Sequence, residues 1–141
     1  MMKTLEGKNA IVTGANRGLG KGILEGLAKE GCSIWAIIRK PSTEFDDFIY
    51  ALNINYHVEI KPVYADLSSE DSIKDAYKKI NAEKRSIDIL INNAGIGHMG
   101  WLQLTKLQFI KDLYAVNVFA PMILSQLVLR NMARQNYGRI I

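Results

Sequence analysis

A regular alternation of short apolar runs with longer segments of helical spacing is the feature that most constrains this chain. An apolar run at 9–13 ends in a turn that carries glycines at positions 14, 18 and 20. Residues 23, 24, 27 and 28 are then apolar at the spacing of a helix, and a second apolar run follows at 34–38. Short continuous apolar runs are typical of strands buried on both faces of a parallel sheet. The alternation predicts an α/β fold, a doubly wound parallel sheet with helices on both faces.

The rest of the chain continues this alternation. A helix is predicted from 41–43 to about 52, followed by a strand at 58–64 that Pro62 places at a sheet edge. Ser68 and Asp71 have the spacing of a capping box and predict the start of the next helix. A strand at 87–91, a long helix at 105–134 and a last apolar pair at 140–141 complete the pattern. We therefore predict one domain over residues 1–141, with strand order 3-2-1-4-5.

Composition and charge exclude several classes of protein. The chain has 141 residues, of which 48% are hydrophobic and 23% charged, which is typical of a soluble globular domain. No run of about 18 apolar residues is present, so we expect no membrane span and a cytoplasmic location. The net charge of +4 is spread along the chain, which argues against nucleic acid as a partner. The single cysteine, Cys32, predicts neither a disulfide framework nor a metal site.

The turn after the first strand has the chemistry of a phosphate site. A helix that follows the turn offers free N–H groups and the positive end of its dipole, and glycines let the main chain approach a pyrophosphate closely. The spacing of the three glycines differs from G-x-G-x-x-G, so the position between strand and helix carries the inference. The turn predicts nucleotide contacts for the following residues: Thr13, Gly14, Asn16, Arg17, Gly18, Leu19 and Gly20.

Three motifs make the chain similar to the short-chain dehydrogenase/reductase family. They are T-G-x-x-x-G-x-G at 13–20, N-N-A-G at 92–95 and an asparagine at 117 inside the long helix. The resemblance implies a Rossmann-type domain that binds a nicotinamide dinucleotide and passes a hydride to or from a carbonyl or alcohol carbon of a small molecule. Within the family the chain resembles the 3-oxoacyl-[acyl-carrier-protein] reductases, while sugar, steroid, polyol and acyl substrates all stay open. The resemblance also implies a homodimer or homotetramer packed on the long helix at 105–134.

The resemblance assigns roles to residues after the third and fourth strands. Asp66 and Leu67 stand where the family carries an aspartate that hydrogen-bonds the adenine amino group. Asn93, Ala94 and Gly95 belong to the motif that lines the nicotinamide ribose side of the site. We therefore expect all five residues to bind the cofactor.

Asn117 matches the family's catalytic asparagine, whose main-chain carbonyl holds a water of the proton relay. Helical spacing places Asn117 in an apolar stripe with Ala120 and Leu124, where an unpaired amide would cost about 1–3 kcal/mol. Its side chain must therefore have hydrogen-bond partners. Pro121 has no N–H to give to the Asn117 carbonyl, so we expect the helix to bend or lose a main-chain bond there.

The end of the second strand predicts NADP(H) rather than NAD(H) as the cofactor. Enzymes of this architecture that use NAD place an acid there, which binds the ribose 2′-hydroxyl and repels a 2′-phosphate. Ile38 stands about where the acid would be, with Arg39 beside it. The resemblance makes Arg17, inside the glycine turn, a second cation for that phosphate.

The resemblance breaks at the proton donor. The family uses a tyrosine followed four residues later by a lysine, and no tyrosine of these 141 residues has a lysine at that position. Two interpretations stay open: a longer natural protein that includes this pair, which we favour, or a nucleotide-binding or sensing module without catalysis. We expect no turnover from the 141 residues alone. His98 and Trp101, in the loop after the fourth strand, are candidates for substrate contact with no assigned role.

Overall fold

The computed structural model describes residues 3–141; Met1 and Met2 of the predicted domain lie outside the described residues. Within that range, five parallel strands form one sheet in the order β3-β2-β1-β4-β5, as predicted. The strands are β1 Asn9–Thr13, β2 Ser33–Ile38, β3 Ile60–Tyr64, β4 Ile89–Ile91 and β5 Arg139–Ile140. The helices are α1 Gly18–Lys29, α2 Thr43–Tyr56, α3 Glu70–Ala82, α4 Leu107–Tyr114 and α5 Ala120–Arg134.

The burial of each strand agrees with its central or edge position in the sheet. All residues of β1 are buried, and β2 is buried from Ile34 onwards, because helices cover both faces of these central strands. In β3 only Ile60 and Val63 are buried, and Pro62, which cannot donate a main-chain hydrogen bond, is tolerated at this edge. The proline thus identified the edge strand correctly.

Two apolar layers sandwich the sheet. On one face, Leu24 of α1 and Phe45 of α2 pack against the side chains of alternate strand residues such as Val12. On the other face, Ile73 of α3 and Leu124 of α5 pack against the opposite set of strand residues. Helices on both faces of a parallel sheet are the doubly wound architecture that the alternation predicted.

Several predicted boundaries were wrong by two to four residues. Helix α2 continues past 52 to Tyr56 and ends at His57, whose φ of 54° is left-handed. Strands β3 and β4 each begin two residues later than predicted, at Ile60 and Ile89. For β4 the cause is Asp88, whose side chain accepts the Asn9 N–H at 2.9 Å in place of a main-chain carbonyl.

The capping residue of α3 is Ser69, not Ser68. The Ser69 hydroxyl accepts the Ser72 N–H at 3.3 Å, whereas the Ser68 hydroxyl donates to the Asp66 carboxylate at 2.7 Å. The predicted pair of Ser68 and Asp71 is therefore one residue out of register, because the carboxylate before the helix competes for the first serine.

Replacing Ser69 with alanine should lower the free energy of unfolding by about 1 kcal/mol, since an amide of the first turn of α3 loses its cap. Chemical denaturation of the Ser69→Ala and Ser68→Ala variants compares two adjacent serines, and the Ser68 variant should lose less. An equal or larger loss at Ser68 would contradict this assignment.

The predicted single helix at 105–134 is interrupted. Residues Ala115–Phe119 form a π-helical segment between α4 and α5, in which the Ala120 N–H donates to the Ala115 carbonyl five residues back. Pro121 lies next to this segment and supplies no N–H, so the predicted break in regular helical bonding is confirmed.

Within the described range, Leu107–Arg134 is the one helical run with the length and composition of a membrane span. The α5 part of this run packs against the sheet through Leu124 and Val128.

Candidate nucleotide site

A cleft of about 550 Å³ lies at the carboxyl ends of the strands, where open α/β sheets bind ligands. The glycine turn, the ends of β2 and β3, the loop after β4 and one face of α4 form its walls. The predicted nucleotide-binding residues that line it are Gly14, Asn16, Arg17, Gly18, Leu19, Gly20, Arg39, Asp66, Leu67, Asn93, Ala94 and Gly95. The fold therefore brings together residues as far apart in the sequence as Gly14 and Gly95.

The glycine turn leaves no space for side chains at two positions. A Cβ on Gly14 would lie 2.8 Å from the Ala94 Cα, and the φ of Gly14 is +65°. A Cβ on Gly20 would overlap the Gly14 carbonyl oxygen. At these two glycines the turn is thus packed against the loop after β4 and against itself.

The amino end of α1 opens into the same cleft. Helix α1 begins at Gly18, and its N-cap residue, Arg17, gives no side-chain cap to the first-turn amides. Uncapped N–H groups and the positive end of the helix dipole form an anion site. The cleft therefore fits the pyrophosphate of a dinucleotide, since it combines these donors with a turn that a Cβ would fill.

Thr13 is buried behind the residues that line the cleft. Its side chain is buried, and its hydroxyl accepts the N–H groups of Asn93 at 3.1 Å and Ala94 at 3.0 Å. In the opposite direction, the Asn93 side-chain nitrogen donates hydrogen bonds to the carbonyls of Thr13 at 2.9 Å and Gly14 at 3.0 Å. Thr13, predicted as a direct cofactor contact, lies outside the residues that line the cleft and ties the glycine turn to the loop after β4.

Charged groups gather at the far end of the cleft, after β2 and β3. The Arg39 guanidinium lies 3.7 Å from the Asp66 carboxylate. Hydrogen bonds from the Ser68 hydroxyl and main-chain N–H, and then the charge of Arg39, lower the pKa of Asp66. Ile38, at the position of an NAD-specific acid, is buried and apolar.

Asn117 has the partners that its polarity required. Its side-chain oxygen accepts the Ile96 N–H at 2.9 Å, and its side-chain nitrogen donates to the Ile96 carbonyl at 2.8 Å. The predicted burial of Asn117 was wrong, because it is exposed while Ala120 and Leu124 are buried. No residue of α4 or of the π-helical segment is buried, so the apolar face that packs on the sheet begins only at Ala120.

Replacing Asn117 with alanine should release the loop after β4 at Ile96. Two hydrogen bonds are lost, each worth about 1 kcal/mol, so the exchange rate of the Ile96 amide should rise about thirtyfold. Hydrogen-exchange NMR measures this, with the exposed Gln108→Ala change in α4 as the control. An unchanged rate at Ile96 would show that Asn117 does not hold the loop.

Some lining residues escaped the sequence prediction. Phe109, Asp112 and Val116 face the cleft from α4 and the π-helical segment. Their i, i+3, i+7 spacing was a usable signal, but it describes any helical face and does not indicate which one meets the cleft. His98 packs its ring 4.7 Å from that of Phe109, and Trp101 is exposed, so their roles in substrate contact stay predictions.

Other reactive side chains are scarce in the described part of the chain. Burial raises the pKa of the Cys32 thiol to about 12, which keeps it protonated. Residues 3–141 contain no group of three or more histidine, cysteine, aspartate or glutamate side chains placed to hold a metal ion.

The sheet order, the helices on both faces and the cleft at the strand ends define a Rossmann-type α/β domain. The family model for short chain dehydrogenases matches residues 8–141, and this chain belongs to that family. It is 34% identical over 138 residues to the 3-oxoacyl-[acyl-carrier-protein] reductase FabG of Escherichia coli, covering 96% of this chain and 54% of that protein. The chain spans about half the length of the curated relatives it matches.

Solved structures show the same likeness. The L-sorbose reductase of Gluconobacter frateurii, complexed with NADPH and L-sorbose, superposes with a TM-score of 0.90 at 25% identity, over 99% of this chain and 53% of that one. A metagenomic short-chain oxidoreductase in complex with NADP superposes with a TM-score of 0.90 at 30% identity, over 96% of this chain and 60% of that one.

Proposed function

We propose that this chain is the cofactor-binding portion of an NADP(H)-dependent reductase that acts on a carbonyl or alcohol carbon of a small molecule. The observation that carries the proposal is the cleft itself, in which a turn with no room for a side chain at Gly14 or Gly20 meets the uncapped amino end of α1. Two similar solved structures are described with NADPH or NADP bound, which supports the choice of cofactor.

Each wall of the cleft has a proposed role toward the cofactor. Amides of the glycine turn and of α1 bind the pyrophosphate, and the loop at 93–95 lines the nicotinamide ribose. Asp66 and Leu67 bind the adenine, and Arg17 and Arg39 bind the 2′-phosphate. When bound, the cofactor supplies or accepts the hydride. The chain's own contribution is to orient it and to exclude water from the cleft.

Asn117 is the proposed catalytic residue of this portion. Its side chain fixes the loop beside the nicotinamide end through Ile96, and its main-chain carbonyl lies four residues before Pro121. We propose that this carbonyl holds a water that relays protons to a lysine of the complete enzyme.

The proposed substrate is of the 3-oxoacyl type, because the FabG reductase of Escherichia coli is among the similar proteins. We propose a cytoplasmic homodimer or homotetramer without a membrane or nucleic-acid partner. The exposed apolar side chains of the long helix support the oligomer: Tyr114, Val118, Phe119, Met122 and Leu129.

A module that binds nucleotide without chemistry is the alternative, and the observation in its favour is the lack of Tyr-x-x-x-Lys in these 141 residues. Two measurements test the proposal. NADPH at a hundred times its Kd should stabilise the chain by about 2.7 kcal/mol in thermal unfolding. The complete product of the gene should oxidise NADPH with a panel of carbonyl compounds. No stabilisation contradicts the binding site, and binding without oxidation favours the module.

A further inference from the structure

The carboxylate of Asp66 is held in one orientation by Ser68. One oxygen, Oδ1, accepts hydrogen bonds from the Ser68 N–H at 3.0 Å and from its hydroxyl at 2.7 Å. The main-chain N–H of Asp66 donates to the Ser72 hydroxyl at 2.9 Å, which anchors the residue to the first turn of α3. Asp66 is therefore a fixed, ionised carboxylate.

The second oxygen of this carboxylate faces Arg39. The distance from Asp66 Oδ2 to Arg39 Nη2 is 3.7 Å, and the side chains are 44% and 75% exposed. This ion pair joins the end of β2 to the segment after β3, across the wall of the cleft. Arg39 is thus already paired with an acid of the same chain where the proposed 2′-phosphate would bind.

We propose that Asp66 competes with the 2′-phosphate of the cofactor for Arg39, and that Ser68 is a positioning residue that limits this competition by fixing the carboxylate. The proposal rests on the NADP(H) function proposed above. It makes the contribution of Arg39 to the preference for a 2′-phosphate depend on Asp66 and Ser68 as well as on the arginine itself.

The charges set the direction of each effect. Asp66 attracts Arg39 and repels a phosphate nearby, so removing its charge should strengthen binding of the 2′-phosphate. Removing the Ser68 hydroxyl takes one donor from the carboxylate, which then attracts Arg39 more strongly. Because the ion pair is largely exposed, water screens it and both effects are modest.

Titration calorimetry with adenosine 2′,5′-bisphosphate and 5′-AMP tests the proposal on the full chain, without the nicotinamide half. The quantity compared is the Kd of 5′-AMP divided by that of the bisphosphate. Asp66→Asn, which keeps the shape and one acceptor, should raise this ratio about fivefold. Ser68→Ala should lower it about twofold, and the double variant should match Asp66→Asn. Asp71→Asn, the same charge change at an exposed position of α3, should leave it unchanged.

Each outcome has a definite meaning. A purely structural role of Ser68 would change both affinities alike, and an unmoved ratio in Ser68→Ala would overturn its positioning role. A ratio unmoved by Asp66→Asn would overturn the competition while leaving the proposed function intact. If the unaltered chain binds neither nucleotide, the proposed function fails, and this inference fails with it.

Discussion

Replacing Gly20 with alanine should weaken NADPH binding about a hundredfold. The new Cβ would overlap the Gly14 carbonyl oxygen and lie 2.9 Å from the Asn93 side-chain nitrogen, so the turn must shift away from the loop after β4. Hydrogen bonds from the turn amides to a charged phosphate are worth about 1.5–3 kcal/mol each, and a loss of about 2.7 kcal/mol corresponds to about a hundredfold in Kd. The same overlap should cost about 1–3 kcal/mol of stability.

Gly22 provides the matched control in the same helix. Among the described residues, no atom outside its own helix and chain neighbours lies within 4 Å of a Cβ at this position. Gly22→Ala should therefore preserve NADPH affinity and raise the free energy of unfolding by about 0.5–1 kcal/mol. Fluorescence titration and chemical denaturation of both variants give the comparison. Equal affinities for Gly20→Ala and Gly22→Ala would contradict the role given to the turn.

Changing Ile38 to aspartate and Arg39 to alanine should reverse the cofactor preference. Charge-assisted hydrogen bonds from an arginine to a phosphate are worth about 1.5–3 kcal/mol each, so two arginines together favour NADPH by about a hundredfold or more. The double change removes one arginine and places an acid where it repels the 2′-phosphate and accepts the ribose 2′-hydroxyl. NADH should then bind more tightly than NADPH.

Lys40 is the control for general loss of positive charge, since it is exposed and stands next to Arg39. Lys40→Ala should leave the ratio of the NADPH and NADH dissociation constants within about twofold of the unaltered chain. The role of Arg39 is wrong if the unaltered chain binds both cofactors equally, or if the double variant does not shift toward NADH.

The sheet order was predictable because it depends on a strong and local signal. Continuous apolar runs such as 34–38 require burial on both faces, and Pro62 identifies the edge. Strand and helix ends were less predictable, because they depend on side chains from other parts of the chain. One example is the Asp88 carboxylate, which accepts the Asn9 N–H just before β4 begins. Another is the Asp66 carboxylate, which accepts the hydrogen bond of the Ser68 hydroxyl.

The candidate site was predictable where motif and position agreed. The sequence could not show that Thr13 acts through Asn93 and Ala94, because this requires the register between β1 and β4. The predicted burial of Asn117 was wrong because helical spacing alone does not show where the helix meets the sheet. A regular helical count extends the apolar face of α5 back to Asn117, whereas the structure buries residues of this helix only from Ala120 onwards.

Hydrogen-exchange mass spectrometry of the chain with and without NADPH tests the central claim, that the cleft at the strand ends is the cofactor site. The account predicts slower exchange in the segments that wall the cleft: 14–20, 37–39, 65–68 and 93–96. Exchange at the opposite end of the sheet, around Arg85, should not change. No protection at saturating NADPH, or protection that spares the glycine turn, would contradict the assignment.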